Sequence, residues 1–248
     1  MIGLGDLQGH WRRVWIKAPG FEDHDTRVNW MQSGTLYADL RVPAERPSLI
    51  GARALSDLDP ATLRGLMRAE GFAGSIALEG DICTWARDIN WHGVPQGVDA
   101  GRMWFNADGD LIEDGVHAEY AELWQRAPEA PVGASRVAAG DLTGVFVRSD
   151  TRFLIGLGQP GARSSADLVE ALERGERPEA VEGHFASHYV LGHWDGVLGI
   201  ADLATNPFLE GRAVLERSAG GGMVWLGVDF FGRESAEPLV VNRVAEEA

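Results

Sequence analysis

A chain of 248 residues is long enough for two cores of ordinary size, and 45% hydrophobic residues with 32 glycines suit a globular protein rich in turns. The 37 Asp and Glu against 22 Lys and Arg give a formal net charge of −15, which opposes a phosphate backbone and excludes nucleic acid as the expected partner. No apolar run approaches the roughly 18 residues needed to span a bilayer, the N-terminal MIGLGDLQGHW lacks a basic and apolar export signal, and the lone Cys83 permits no intrachain disulfide; a cytoplasmic protein without membrane contact is expected.

In chain order, segments of strand composition run over Trp11–Lys17, Thr26–Gln32 and Leu36–Val42, with Ser33-Gly34 as the turn between the last two. A helix over Asp59–Ala69 follows, capped by Asp57 or Asp59, with Pro60 in its first turn and Leu63, Leu66 and Met67 at helical spacing. Strands then run over Gly74–Leu78, Ile82–Ile89, Gly101–Asn106 and Ala118–Trp124, with Ala107-Asp108-Gly109-Asp110 as a turn. Seven such segments suggest an antiparallel sheet closed or nearly closed on itself. The stretch RAPEAPVGAS at 126–135 has a linker's composition and divides the chain into residues 1–126 and 127–248.

The second half predicts strands over Thr143–Val147, Arg152–Leu157, His184–Gly192, Val197–Leu203, Ala213–Glu216 and Met223–Val228, and a helix over Ala166–Arg174 capped by Ser164 or Ser165. Each helix precedes a similar string, EGFAGS at 70–75 and EGHFAS at 182–187, which suggests an internal duplication. The expected fold is mainly β: two tandem antiparallel barrels, each with one short helix.

Alternation along the strands assigns faces. In Leu36–Val42 one face carries Tyr37, Asp39 and Arg41, and in Ile82–Ile89 one carries Cys83, Trp85 and Arg87. Tyr120, Glu122 and Trp124 share a face, as do Trp30 and Gln32. Because large aromatics are costly to leave in water, these are the covered faces, and their charged residues enter the barrel with them. Arg41 and Arg87 would find partners among Asp39, Asp88, Glu113 and Glu122. Aromatic walls with a few ionic groups are what a small-molecule cavity needs. Trp30, Tyr37, Trp85, Tyr120 and Trp124 are the candidate walls and Arg41, Arg87 and Glu122 the ionic groups; Asp39, Glu113 or Glu122 could act as general acid or base, with Asp39 and Glu122 the candidate catalytic carboxylates.

Other motifs read as structural. Gly156, Gly158 and Gly161 in GLGQPG imitate a dinucleotide fingerprint without the βα unit it needs. His184 and His188 on one strand would lie about 13 Å apart, too far to share a metal. His10, His24, His92 and His117 show no ligand spacing and read as surface or turn residues, and Cys83 as a packed thiol. Neither metal nor cofactor is expected.

The runs WRRVWIKAPGFEDHDTRVNWMQSGTLYADLRVPAERP at 11–47, GFAGSIALEGDICTWARDINW at 71–91 and YAELWQR at 120–126 resemble the Hri family of fungi and bacteria, whose fungal member is named as a kinase-interacting protein. The resemblance lies in the first half of the chain, implies a pair of lipocalin-like (calycin) barrels and carries over no catalytic residue. Three functions fit: binding of a small, partly apolar anion in the first barrel; a cofactor-independent isomerase, lyase or cyclase using a buried carboxylate and an Arg; or a structural module with filled barrels that meets a protein partner.

Overall fold

In the computed structural model, which describes residues 2–128 and 132–242, the first half forms β1 (Gly9–Ala18), the short β2 (Phe21–Asp23), β3 (Arg27–Ser33), β4 (Leu36–Val42), β5 (Glu70–Glu79), β6 (Ile82–Asn90), β7 (Asp99–Phe105), β8 (Leu111–Gly115) and β9 (Ala121–Arg126). Successive strands pair antiparallel, and β9 returns to β1 with Arg126 opposite Trp11 and Ala121 opposite Lys17. Eight of these strands close a barrel, while β2 is a ribbon on the end of β1. The turns use the glycines that the sequence offers: Gly34 and Gly109 take φ of 58° and 84°, the left-handed region that costs glycine nothing.

The second half repeats the plan with β10 (Gly133–Ala139), β11 (Leu142–Arg148), β12 (Arg152–Gly158), β13 (His188–Asp195), β14 (Leu198–Ala204), β15 (Ala213–Arg217), β16 (Met223–Val228) and β17 (Glu234–Asn242), closed by β10 against β17. Each barrel diverts into helix after its third barrel strand: α2 (Pro60–Leu66) follows β4, and α3 (Ala166–Glu173) with α4 (Ala180–Phe185) follows β12. That shared interruption is the structural mark of duplication. Asp59 caps α2, its Oδ1 accepting from the Thr62 N–H at 2.7 Å, a contact worth about 1 kcal/mol.

The repeat of strings is not the repeat of structure. EGFAGS begins β5, whereas EGHFAS lies across α4 and its exit, so the strand expected from His184 starts at His188. One helix per barrel is also too few, since α1 (Leu4–Leu7) and α4 are additional. Among the strands, the three-residue β2 and also β8, β10 and β17 lie outside every predicted segment. Acidic residues dilute β8, small residues fill β10, and Pro238 interrupts β17, so none has strong strand composition.

Two apolar interiors and an apolar layer between the barrels hold the molecule together. Trp11, Trp30, Tyr37, Met103 and Leu111 fill part of the first barrel, and Phe146, Phe153, Ile155, Val190 and Leu215 fill the second. The layer between joins Ala38, Leu40 and Val42 of β4 to Val145, Val147, Leu154 and Tyr189. Strand β4 is therefore buried on both faces, where alternation suggested one. The contact is close because glycines line it. A Cβ on Gly71 would lie 2.2 Å from Tyr189 Cγ, and one on Gly156 would lie 2.9 Å from Cε1 of the same ring. Gly156 and Gly158, the first glycines of GLGQPG, thus sit against Tyr189 within this layer.

Polar ties complete the junction. The Arg136 guanidinium of β10 pairs with Asp88 of β6, Arg64 of α2 with Glu173 of α3 at 2.9 Å, and Arg46 with Glu210 at 2.6 Å. Among the described residues no helix is long and apolar enough to cross a membrane.

Candidate functional site

The first barrel is a cup. At one end α1 inserts Leu7 beside Trp11, Met103, Leu111 and Trp124, an apolar floor. The Trp11 indole donates to the Leu7 carbonyl at 2.8 Å and ties helix to barrel. At the other end, where β1, β4, β6 and β8 finish and β3, β5, β7 and β9 begin, the inward positions turn polar, and a cavity of about 200 Å³ opens.

Of the residues singled out by alternation, Trp30, Asp39, Arg41, Trp85, Arg87, Tyr120, Glu122 and Trp124 line this cavity. Tyr37 does not. It sits two residues deeper on β4, fully buried, its ring edge-on to Phe72 at 6.1 Å. The tryptophans form one aromatic block, Trp30 meeting Trp85 and Trp124 edge-on at 6.1 and 5.8 Å. Four lining residues lie outside that set: Ile16, Phe72, Asp99 and Glu113. Phe72 carries the Arg87 guanidinium 3.7 Å from its ring centre and that of Arg41 at 5.0 Å, which holds both cations by attraction to the ring face.

Every carboxylate here is engaged. Asp39 accepts from Arg41 Nε at 2.9 Å, Asp99 takes Arg87, and Glu122 takes Arg13 at 2.8 Å; Arg13 also holds Asp23 at the same distance. Arg87 thus pairs with Asp99, while Asp88, one of its expected partners, faces the second barrel. Glu113 accepts the Tyr120 hydroxyl at 2.8 Å and the Trp124 indole at 3.2 Å. Glycines make room for that pair: a Cβ on Gly101 would lie 2.6 Å from Glu113 Cγ, and one on Gly115 would lie 2.5 Å from the Tyr120 ring.

Glu113 and Glu122 are direct cross-strand partners, an arrangement in which two full negative charges repel. Burial, then the Glu122 charge, pushes the Glu113 carboxyl well above the usual range against the opposing Tyr120 hydrogen bond. Burial also raises Asp39, with Arg41 opposing. Two donors are left over: Arg87 Nε and Trp30 Nε1 are buried and have no acceptor.

The histidines differ from expectation. His184 lies in α4 and His188 in β13, not on one strand. His10 is buried and bonds Asn29 through Nε2 at 2.9 Å, and His92 bridges Ser165 and the Ala69 carbonyl at 2.7 and 2.9 Å. Cys83 is buried in the floor of the cup, and burial raises its thiol. Among the described residues no cluster of three His, Cys, Asp or Glu side chains is placed to hold a metal ion.

No protein-family model matches the sequence, and no curated protein does. Among solved structures, the chain is similar to an uncharacterized protein, YLR301w, from Saccharomyces cerevisiae. The TM-score is 0.53 at 12% identity, over 94% of this chain and 98% of that one. At that identity the likeness concerns the fold: a tandem of eight-stranded barrels.

Proposed function

We propose that the first barrel binds a small, partly apolar molecule bearing a carboxylate, its flat part against Trp30, Trp85 and Trp124. The observation that carries this is the imbalance of partners. All four cavity carboxylates are engaged, while Arg87 Nε and Trp30 Nε1 are buried donors without acceptors. A cation would need free acceptors; an acceptor-bearing ligand satisfies both donors, and an unmet buried donor costs about 1–3 kcal/mol. Arg87 suits a carboxylate through its charge and planar fork. The cavity is smaller than the roughly 300–1,000 Å³ of drug-sized sites, so the molecule is small.

Membership in the Hri family, the lipocalin-like description and a cytoplasmic location belong to the same proposal. The quoted sequence runs support the first, the barrel cup the second, and the single buried thiol the third. The test is native mass spectrometry of protein from its own cells, followed by denaturation to identify what is released. A stoichiometric acid, lost from Arg87→Ala and from Trp30→Phe, is expected. A protein that stays apo after incubation with a metabolite extract refutes the reading.

The Glu113–Glu122 pair favours a second reading, an isomerase, lyase or cyclase in which protonated Glu113 gives its proton to the bound molecule. Turnover of the released acid, abolished in Glu113→Gln with the fold intact, distinguishes enzyme from binder. Asp39, paired with Arg41, and Glu122, paired with Arg13, then serve as positioning groups.

A further inference from the structure

A second cavity, of about 230 Å³, lies in the junction between the barrels, where the turn after β6 meets the β12–α3 connection and α4. In a chain of net charge −15 its lining contains no Asp or Glu. It contains Gln159, Ser164, Ser187 and Arg163, the last exposed and without an ion pair among the described residues. Two of the residues lining it also carry buried polar atoms without a partner. Trp91, only 3% exposed, and His184, with rings 4.2 Å apart, both line the cavity, and neither Trp91 Nε1 nor His184 Nε2 has a hydrogen-bond partner.

The start of α3 opens on the same space. Its cap residue, Ser165, turns its hydroxyl to His92 Nδ1 at 2.7 Å, while its N–H donates to the His92 carbonyl at 3.2 Å. Ser165 makes no capping bond, its side chain being turned to His92 of the first barrel. The Ala166 amide donates to Ser164 Oγ at 3.3 Å, and the positive end of α3 lies beside the cavity. Asp167 lies in the first turn but does not line the cavity.

We propose that this junction is a second binding site, for a small tetrahedral oxyanion: phosphate, or the phosphate group of a small ester. Donors come from three separate segments, Trp91 from one barrel and Arg163, Ser164 and His184 from the other, which suits a group presenting oxygens in several directions. A planar carboxylate presents two. Because both barrels contribute, the anion also ties them together.

The probe is inorganic phosphate, titrated into the full chain while the indole N–H resonances are followed by NMR, Trp91 being assigned with Trp91→Phe. A saturable shift of the Trp91 resonance is expected, with binding weakened at least tenfold in Arg163→Ala and largely kept in Arg163→Lys. Arg87→Ala, in the first barrel, should bind phosphate as the unaltered protein does, which separates this site from that cavity. The proposal is overturned if no shift appears up to about 50 mM phosphate, an affinity too weak to call a site. It is likewise overturned if Arg163→Ala binds normally, or if Arg148→Ala on the far strand β11 weakens binding equally and the effect reduces to net charge.

Discussion

Gly71→Ala should loosen the junction between the barrels from a position that itself lines neither cavity. The added Cβ falls 2.2 Å from Tyr189 Cγ and 2.6 Å from both Cδ atoms, over the face of the ring. Carbon atoms prefer roughly 3.5 Å or more, so the ring or strand β5 must move by roughly 1.3 Å. The ring has nowhere to go, because Tyr189 is fully buried and Gly156 backs it on β12. Overfilling a tight core costs about 1–3 kcal/mol, and a clash with a trapped ring belongs near 2–3 kcal/mol. For a chain of this size that lowers Tm by roughly 5–10 °C. Urea unfolding followed by circular dichroism measures the loss. Tyr189→Leu removes the ring, so the double variant should be less damaged than the sum of the singles by at least about 1 kcal/mol. A Gly71→Ala protein within about 0.5 kcal/mol of the parent, or strict additivity with Tyr189→Leu, refutes the account of why these glycines are there.

Two further predictions concern pH, beside the two binding experiments above. Glu113 has a raised pKa when folded, so the native state holds a proton that the unfolded chain releases; stability falls as pH rises from about 4.3 through the raised value. The stability difference between Glu113→Gln and the parent should move in favour of the variant across that interval, in urea unfolding at stepped pH. A flat difference would mean that Glu113 is ionised. His188 is the opposite case: burial lowers its pKa to about 4, so stability is lost as pH falls from about 6.5 toward 4. Replacing it by Leu should flatten that acid limb, by up to about 3 kcal/mol in the difference, and an unchanged limb would place the loss elsewhere.

Much of the cavity was legible because period-two alternation assigns faces without any knowledge of the fold. It names Asp39, Arg41, Trp85, Arg87, Tyr120, Glu122 and Trp124 correctly as inward residues of one barrel. It does not assign height, which depends on where along the barrel each strand crosses the others, and so Tyr37 joined a set that it lies beneath. Phe72 and Asp99 were missed for a local reason. The predicted strands begin at Gly74 and Gly101, two residues past Phe72 and Asp99, so neither residue was assigned a face. In the structure Gly71 admits Tyr189, and Gly74 sits at the bulge where the β5–β6 register shifts. The second barrel was harder to read. Its closing strands β10 and β17 are weak in strand formers and depend on one another. Burial of β4 on both faces was invisible, since Leu36, Ala38, Leu40 and Val42 look like any apolar face until a neighbour is known.

Strand β4 is in effect a party wall. One side, with Asp39 and Arg41, looks into the cup; the other, with Ala38, Leu40 and Val42, is the surface on which the second barrel rests. Cutting the chain at the linker would therefore not release two modules. Each half would be left with a bare apolar flank, of the sort that drives association between copies. The duplication has produced a single object, in which whatever stiffens or swells the cup presses directly on its twin.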